Sequence, residues 1–284
     1  MSGPHGFANV ETIKKAITHL YTQLGAAHIN SYQSDFGALA ENSRYNGDLM
    51  LATQKLASDI ASHYRLPITT VIVNYSATLT SPGRVELGLG NEFFVELHAK
   101  YRSKLNAVAG ILAHEIAHIF LHRLGASWQD QKTNEILTDT TAAYLGFGVT
   151  ILNATNYLTK IAGKSTETTL EYFGYLSPDE FGYLLARRDD AFNLNSRGKI
   201  GQPQWRKAYD NGLKKMRREQ NKRPFLPRPW YENFFTQLIK RKVSAADMVK
   251  LECLKCSKNL RVPANNKKIV VNCPNCDTRF FCYL

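Results

Sequence analysis

The sequence predicts an α+β fold that is mainly helical and has a small sheet, followed by a separate cysteine-rich β module. Apolar residues recur with helical spacing in four segments, at about 10–24, 48–64, 104–124 and 131–147. Runs of β-branched and aromatic residues predict three strands, at 69–75, 84–89 and 93–98. All five cysteines lie in the last 32 of the 284 residues, which sets this tail apart from the rest.

The middle of the chain is less regular. Residues 166–190 have helical spacing with a break at Ser177-Pro178, whereas 191–230 are rich in Asn, Gly, Pro, Lys and Arg. A short helix is expected at 230–240. We therefore divide the chain into a domain at 1–190, a basic connecting region at 191–249 and a terminal module at 250–284.

The composition predicts a soluble cytoplasmic protein with no membrane partner. Hydrophobic residues make up 44% of the chain and charged residues 21%, as in ordinary globular proteins. The start of the chain has no basic segment followed by an apolar core, and no stretch of about 18 apolar residues occurs. Clustered cysteine pairs in such a chain indicate metal ligands rather than disulfides.

Charge is distributed unevenly along the chain. The net charge of +12 divides into −3 for residues 1–186, +11 for 187–242, −1 for 243–249 and +5 for 250–284. Aromatic residues are interleaved with the basic ones, at Trp205, Tyr209, Phe225, Trp230, Tyr231, Phe234 and Phe235. Cations neutralise phosphates and aromatic rings stack on bases, so this pattern favours single-stranded nucleic acid. The alternative is a solvated basic face with a few core aromatics.

Residues 114–118 read His-Glu-Ile-Ala-His on an apolar helix. Residues four apart share one helix face, so His114 and His118 can bind one zinc ion. Glu115 can then act as general base on a water whose pKa zinc lowers to about 7. The alternative is a chance motif, but two imidazoles and a carboxylate buried without a partner would cost several kcal/mol. The motif therefore predicts a catalytic zinc site.

The third protein ligand is a carboxylate by elimination. No histidine follows His122, which excludes the classes that need a later histidine. His122 lies one turn beyond His118, and three collinear ligands on one straight helix cannot converge on a tetrahedral ion.

Residues 134–139, Asn-Glu-Ile-Leu-Thr-Asp, resemble the NExxSD-type signature of gluzincins such as thermolysin. The resemblance implies a gluzincin-like fold at 1–190 in which Glu135 is the third ligand and Asp139 orients His114. The spacing agrees, because Glu135 and Asp139 share a helix face and metal-bound histidines usually donate their other N–H to a carboxylate.

The same resemblance implies a substrate strand and an oxyanion donor. Gluzincins bind the substrate along an edge strand before the motif helix, a place that Phe93–His98 occupies here. An ordinary sheet strand is the alternative. The oxyanion donor lies beyond the third ligand, and we favour Tyr175 as this catalytic residue over four others, Tyr172, Tyr183, Arg187 and Arg188.

The tail carries two CxxC pairs, Cys253/Cys256 and Cys273/Cys276, separated by 16 residues. This spacing predicts a zinc ribbon with a closed, structural site of four cysteines, without which so small a module would not fold. Cys282 is left over. It is expected to be an ordinary thiol, and the alternative is a thiolate that masks the catalytic zinc.

A gluzincin-type site followed by a zinc ribbon in a basic protein resembles the CapP metallopeptidases, which regulate bacterial CBASS anti-phage operons. The resemblance implies an endopeptidase that single-stranded DNA activates. It also implies a helix-turn-helix repressor as the protein substrate, whose cleavage derepresses the defence genes. The alternatives are a housekeeping peptidase with a substrate-recruiting ribbon, and a nucleic-acid-binding protein with a vestigial HExxH site.

Overall fold

The computed structural model of the chain describes residues 6–37, 48–66, 69–88, 90–162, 165–171, 173–220, 248–253, 256, 258–263 and 268–283. Within these ranges the chain is mainly helical and has a small mixed sheet, as predicted. The elements before residue 130 are α1 (Val10–Leu24), α2 (Ala26–Ile29), α3 (Leu49–His63), β1 (Thr70–Ser76), β2 (Gly83–Glu86), β3 (Glu92–His98) and α4 (Leu105–Leu124). Apart from α2, which the sequence analysis did not predict, their bounds lie within a few residues of the predicted ones.

Helix α4 is the central helix of the core. Its apolar residues occupy every side, and sixteen of its residues are buried, as expected for a helix enclosed by other elements. By length and composition it is the one helix among the described residues that could cross a membrane, but most of it is buried inside the fold. This pattern is typical of the core helix of a soluble protein. Gly125 ends the helix in a left-handed conformation, which glycine adopts readily.

The three strands form one sheet in the order β1-β3-β2, with β1 parallel and β2 antiparallel to β3. One face packs on α3 and α4 through alternating apolar residues such as Val71 and Val95. The prediction that Phe93–His98 is an edge strand is wrong, because β3 is paired on both sides. The edge beside α4 is β2, whose outer side has no strand partner among the described residues.

The predicted helix at 131–147 is interrupted. The α-helix α5 spans Gln131–Ala142, a π-helical turn covers Ala143–Phe147, and α6 (Gly148–Ala154) follows. Gly146 has φ 112°, and a Cβ there would lie 2.7 Å from the carbonyl oxygen of Ser34. The π-helical turn lies against the segment that contains Ser34. Its positive φ and this close approach leave no room for a side chain at position 146.

The prediction of helix over 166–190 is wrong in its first half. Strands β4 (Asn156–Ala162) and β5 (Ser165–Glu171) form an antiparallel hairpin, and its β-branched threonines favour strand over helix. Helix α7 (Pro178–Phe192) begins at the predicted break. Ser177 caps it, and Glu180 completes a capping box.

The basic connecting region contains a long helix that the sequence analysis missed. Helix α8 (Pro203–Gln220) packs on α7, and Gly182 and Gly212 allow close approach of the two backbones. Trp205 and Tyr209 join the core, where Trp205 donates to the carbonyl of Thr155 and Tyr209 donates to Asp189. The helix predicted at 230–240 lies outside the described residues.

The tail forms two antiparallel hairpins, from β6 (Met248–Glu252), β7 (Asn259–Pro263), β8 (Lys268–Asn272) and β9 (Arg279–Tyr283). No strand pairing joins them to the sheet of β1–β3 among the described residues. Strand β9 lies beside α4. Cys282 lies in β9, but its side chain is outside the described part, so its role stays a prediction.

Candidate metal centre and active-site cleft

Three predicted ligands converge where α4 meets α5. The Nε2 atoms of His114 and His118 lie 3.1 and 3.2 Å from one carboxylate oxygen of Glu135, and 3.2 Å from each other. Two donors at about 2.0–2.1 Å from a tetrahedral zinc ion would lie about 3.3 Å apart. The spacing of the three atoms therefore fits a single ion.

The orientation of the two imidazoles also fits a metal ion. His114 Nδ1 lies 2.8 Å from Asp139 Oδ1, and His118 Nδ1 lies 3.2 Å from the hydroxyl of Thr138. Because the carboxylate of Asp139 only accepts, Nδ1 of His114 carries a proton, and Nε2 faces Glu135, where it can hold either a second proton or a metal ion. Lone pairs this close repel one another unless a cation lies among them.

The pKa shifts indicate the same attraction for positive charge. Burial opposes the charged form of His114, but the carboxylates of Asp139 and Glu135 raise its pKa well above the ordinary value. Burial likewise opposes ionisation of Glu135, but hydrogen bonds from His114 and His118 lower its pKa to about 2. The group thus binds a proton strongly when no metal is present, and the same atoms could hold zinc.

Glu115 lies beside this group on the sheet side of α4. It is 7% exposed, burial raises the pKa of its carboxyl, and it accepts a hydrogen bond from the Val85 N–H of β2. A Cβ on Gly83 would lie 2.4 Å from Ile111 and 2.9 Å from the Glu115 carboxylate. Glycine at position 83 therefore lets the edge strand approach α4 and leaves room for this carboxylate.

An open cleft of about 660 Å³ runs over these residues. Its lining includes the three candidate ligands and Glu115, one wall formed by β2 and its flanks, and a second wall formed by residues 173–175. The lining mixes apolar side chains, such as Ile111 and Phe173, with polar ones, such as Asn134. A cleft with an unpaired strand edge along one wall can accept an extended peptide.

Asp139 connects the metal centre to the second wall of the cleft. While Oδ1 faces His114, Oδ2 accepts the N–H groups of Tyr175 and Leu176 at 2.6 and 3.0 Å. Gly174 has φ 127°, and a Cβ there would lie 2.4 Å from Asp139. The fully buried carboxylate therefore positions His114 and Tyr175 together.

Among the five predicted oxyanion donors, Tyr175 lines the cleft, with 51% of its surface exposed. The other described candidates make contacts with residues that do not line the cleft. Tyr183 and Arg187 bind Glu219, and Arg188 binds Asp35 and the carbonyl of Tyr144. Tyr172 lies outside the described residues. His122 is near Phe93, away from the three ligands, as predicted.

Thr138 was missed by the sequence analysis. Its hydroxyl faces His118 Nδ1 at 3.2 Å and donates to the carbonyl of Asn134 at 2.9 Å, so it can accept the imidazole N–H. The signal was present, because Thr138 occupies the serine position of the gluzincin-type signature. Each histidine therefore has one partner on α5 that fixes its orientation.

Replacing Thr138 with valine is expected to weaken zinc binding by His114, His118 and Glu135 about 10–100-fold, the usual effect of losing a group that orients a ligand. Valine keeps the shape of threonine but cannot accept the His118 N–H. Zinc affinity would be measured by competition with a chromophoric chelator. Thr141→Val is the matched control, because Thr141 is also buried and donates only to the carbonyl of Leu137. Equal affinities in the two variants would contradict this role.

The four tail cysteines also converge. Sγ–Sγ distances are 3.5 Å for Cys253–Cys276 and 3.6 Å for Cys256–Cys273, and all four sulfurs lie within 4.8 Å of one another. Thiolates about 2.3 Å from a tetrahedral zinc would lie about 3.7 Å apart. Burial would raise the pKa of Cys256, but donors from Lys258 and Asn275 lower it to about 6. The group could hold zinc, as in a zinc ribbon.

The predicted nucleic-acid surface is only partly available. The expectation that Trp205 stacks on bases is wrong, because its ring is buried in the core, and Tyr209 is buried as well. Trp230 and Tyr231 lie outside the described residues. What α8 exposes is a row of cations, Lys207, Lys214, Arg217 and Arg218. This row suits phosphate contacts, which carry no preference for single strands.

Comparisons with known proteins add no relative. No family model, no curated protein and no solved structure matches this chain. The resemblance to gluzincins and to CapP therefore depends on the sequence motifs alone.

Proposed function

We propose that this protein is a zinc-dependent endopeptidase whose metal is held by His114, His118 and Glu135. The observation that carries the proposal is the convergence of three donor atoms within 3.2 Å of one another, beside a buried carboxylate and under the strand edge of β2, which has no strand partner in the described part of the chain. A vestigial site would not need the paired contacts to Asp139 and Thr138 that orient both histidines.

The chemistry follows from the positions of the groups. A zinc ion held by His114, His118 and Glu135 would supply a Lewis acid for the substrate carbonyl and would lower the pKa of water to about 7. The edge of β2 aligns the substrate backbone. Glu115 accepts a proton from the attacking water and gives it to the leaving amine nitrogen as the C–N bond breaks. Tyr175 is the proposed donor to the oxyanion.

The first test is hydrolysis itself. The purified protein with added zinc would be incubated with fluorescein-labelled casein and with a mixture of internally quenched peptides. We expect cleavage inside the chain that 1,10-phenanthroline stops and that added zinc restores. If no peptide bond is cleaved at any zinc concentration, with or without an oligonucleotide, the peptidase proposal is overturned.

We further propose that DNA activates this peptidase, and that the substrate is a helix-turn-helix repressor, so that cleavage derepresses an anti-phage operon. The support is the net charge of +11 in residues 187–242, since α8 exposes several of the basic side chains of this region. A peptidase domain alone has no use for such a field. The housekeeping alternative differs in one respect, because its activity would not depend on nucleic acid.

Arg217→Ala/Arg218→Ala is expected to reduce both DNA binding and activation by DNA. Both side chains are exposed near the end of α8, and removing two phosphate contacts should lower the salt dependence of single-strand binding by about 1.4 in log–log slope. Binding would be followed by fluorescence anisotropy at several salt concentrations, and activity on labelled casein with and without the oligonucleotide.

Lys55→Ala/Lys100→Ala removes the same charge from other exposed positions and serves as the control. If both double variants bind DNA equally, α8 is not the contact surface. If the wild-type rate is the same with and without DNA at every salt concentration, the activation proposal is overturned and the peptidase proposal remains.

A further inference from the structure

The outer face of the three-stranded sheet exposes two large apolar side chains. Ile72 of β1 and Phe94 of β3 are aligned in the strand register, and Glu86 of β2 is aligned with Phe94 on the other side. Phe94 is 49% exposed and Ile72 is 36% exposed. Because the inner face of the same strands packs on α3 and α4, these residues cannot belong to the core. They form one row across the sheet.

Carboxylates surround this row. Glu92 and Glu96 flank Phe94 along β3, on the same face, since side chains alternate along a strand. Glu96 pairs with Arg84 at 2.7 Å, whereas Glu86 and Glu92 are exposed and have no ion-pair partner among the described residues. This face is therefore acidic in a protein whose net charge is +12. We name Ile72, Arg84, Glu86, Glu92, Phe94 and Glu96 the Phe94 face.

The Phe94 face adjoins the cleft, and strand β2 lies between Phe94 and the cleft. Arg84 of β2 and Leu87, which follows β2, both line the cleft. Neighbouring strands are about 4.8 Å apart, so a chain leaving the cleft has to cross one strand to reach Phe94. Leu87 is 42% exposed and continues the apolar surface towards the cleft.

We propose that the Phe94 face binds a basic and apolar segment of the protein substrate, outside the residues that are cleaved. Its role in substrate choice depends on the peptidase activity proposed above. Exposed carboxylates around an apolar row complement a segment in which Lys or Arg residues are mixed with apolar ones. The same carboxylates repel nucleic acid and anionic lipid, which excludes both as occupants. The fitting substrate class is basic proteins, to which DNA-binding proteins belong.

The proposal is tested first by binding, with Glu115→Gln as the parent protein so that the probe is not cleaved. The probe is a fluorescein-labelled ten-residue peptide of alternating lysine and leucine, followed by anisotropy. Adding Glu86→Lys/Glu92→Lys to the parent is expected to weaken binding about tenfold, because two attractive charges become repulsive. Adding Phe94→Ser instead is expected to weaken binding severalfold at both low and high salt.

The matched control adds Glu11→Lys/Asp190→Lys, which makes the same charge change at two exposed positions on α1 and α7. Binding within twofold of the parent is expected. A second probe of alternating glutamate and leucine should bind weakly to the parent and more tightly to Glu86→Lys/Glu92→Lys. If the lysine probe binds all variants equally, or if the control weakens binding as much, the proposal is overturned.

Cleavage by otherwise wild-type protein separates this proposal from the peptidase itself. Glu86→Lys/Glu92→Lys should raise KM for linker histone, a basic protein, and leave kcat for the quenched peptide mixture unchanged. If this variant has an unchanged KM for linker histone and normal activity, the proposal that the Phe94 face binds substrate is overturned and the peptidase proposal remains. If the lysine probe binds in a way that depends on the Phe94 face but no peptide is cleaved, the peptidase proposal is overturned and the binding surface remains.

Discussion

Replacing Glu115 with glutamine is expected to lower kcat about 10²–10⁴-fold and to leave both zinc ions bound, since only the proton acceptor is lost. Glutamine has the same shape and can still accept the Val85 N–H, so the edge strand should keep its position. The measurement is the rate of casein hydrolysis, together with zinc content by elemental analysis and the melting temperature.

Glu11→Gln provides the control, because it also removes one carboxylate charge but lies on the exposed side of α1. It should keep full activity. Retention of activity in Glu115→Gln would show that another group takes the proton, and the assignment of the general base would be wrong. Loss of zinc in that variant would instead identify Glu115 as a metal ligand.

The candidate metal centre was largely predictable because its geometry is local. His114, Glu115 and His118 follow from the repeat of one helix, and Glu135 follows from the six-residue signature at 134–139 that ends at Asp139. Helix propensity and apolar period determine where such residues point on their own helix. What they cannot determine is where a second helix crosses the first.

Thr138 shows this limit. A threonine on a helix usually donates to a carbonyl four residues back, and Thr138 and Thr141 both do so. Only the crossing of α4 and α5 brings one of them to His118. The contact of Asp139 with Tyr175 has the same origin, because it joins residues 36 positions apart.

Strand order and burial were harder to predict than element type. The periodicity of β3 indicates one buried face, but an edge strand and a central strand share that pattern, and the parallel pairing with β1 is set by long-range contacts. In the basic region, composition suggested irregular chain, whereas Lys, Arg and Gln are good helix formers. Trp205 and Tyr209 are spaced four residues apart and form the buried stripe of α8.

The two metal groups differ in what surrounds them. The His114 group lies in a cleft and offers three candidate ligands, which would leave one position of a tetrahedral ion open, whereas the four cysteines would fill all four positions. The first group is held on two helices of the main core. The second connects two short hairpins, and a module of that size usually needs its metal to fold. Loss of each metal should therefore have different consequences.

Glu135→Ala and Cys253→Ser are each expected to reduce bound zinc from two ions per chain to one, with opposite effects on function. Glu135→Ala leaves only the two imidazoles as candidate ligands at this site and should abolish hydrolysis while the fold persists. Cys253→Ser removes a buried thiolate from a site whose metal contributes about 10–16 kcal/mol to folding in comparable modules. The tail should then unfold, seen as rapid amide exchange confined to residues 248–283, while cleavage of the quenched peptide mixture continues.

Thr278 lies beside Cys276 in the tail and supplies no ligand, so the control variant Thr278→Val should retain two zinc ions. One zinc per chain in the wild-type protein, lost with Cys253→Ser and unaffected by Glu135→Ala, would contradict the catalytic centre.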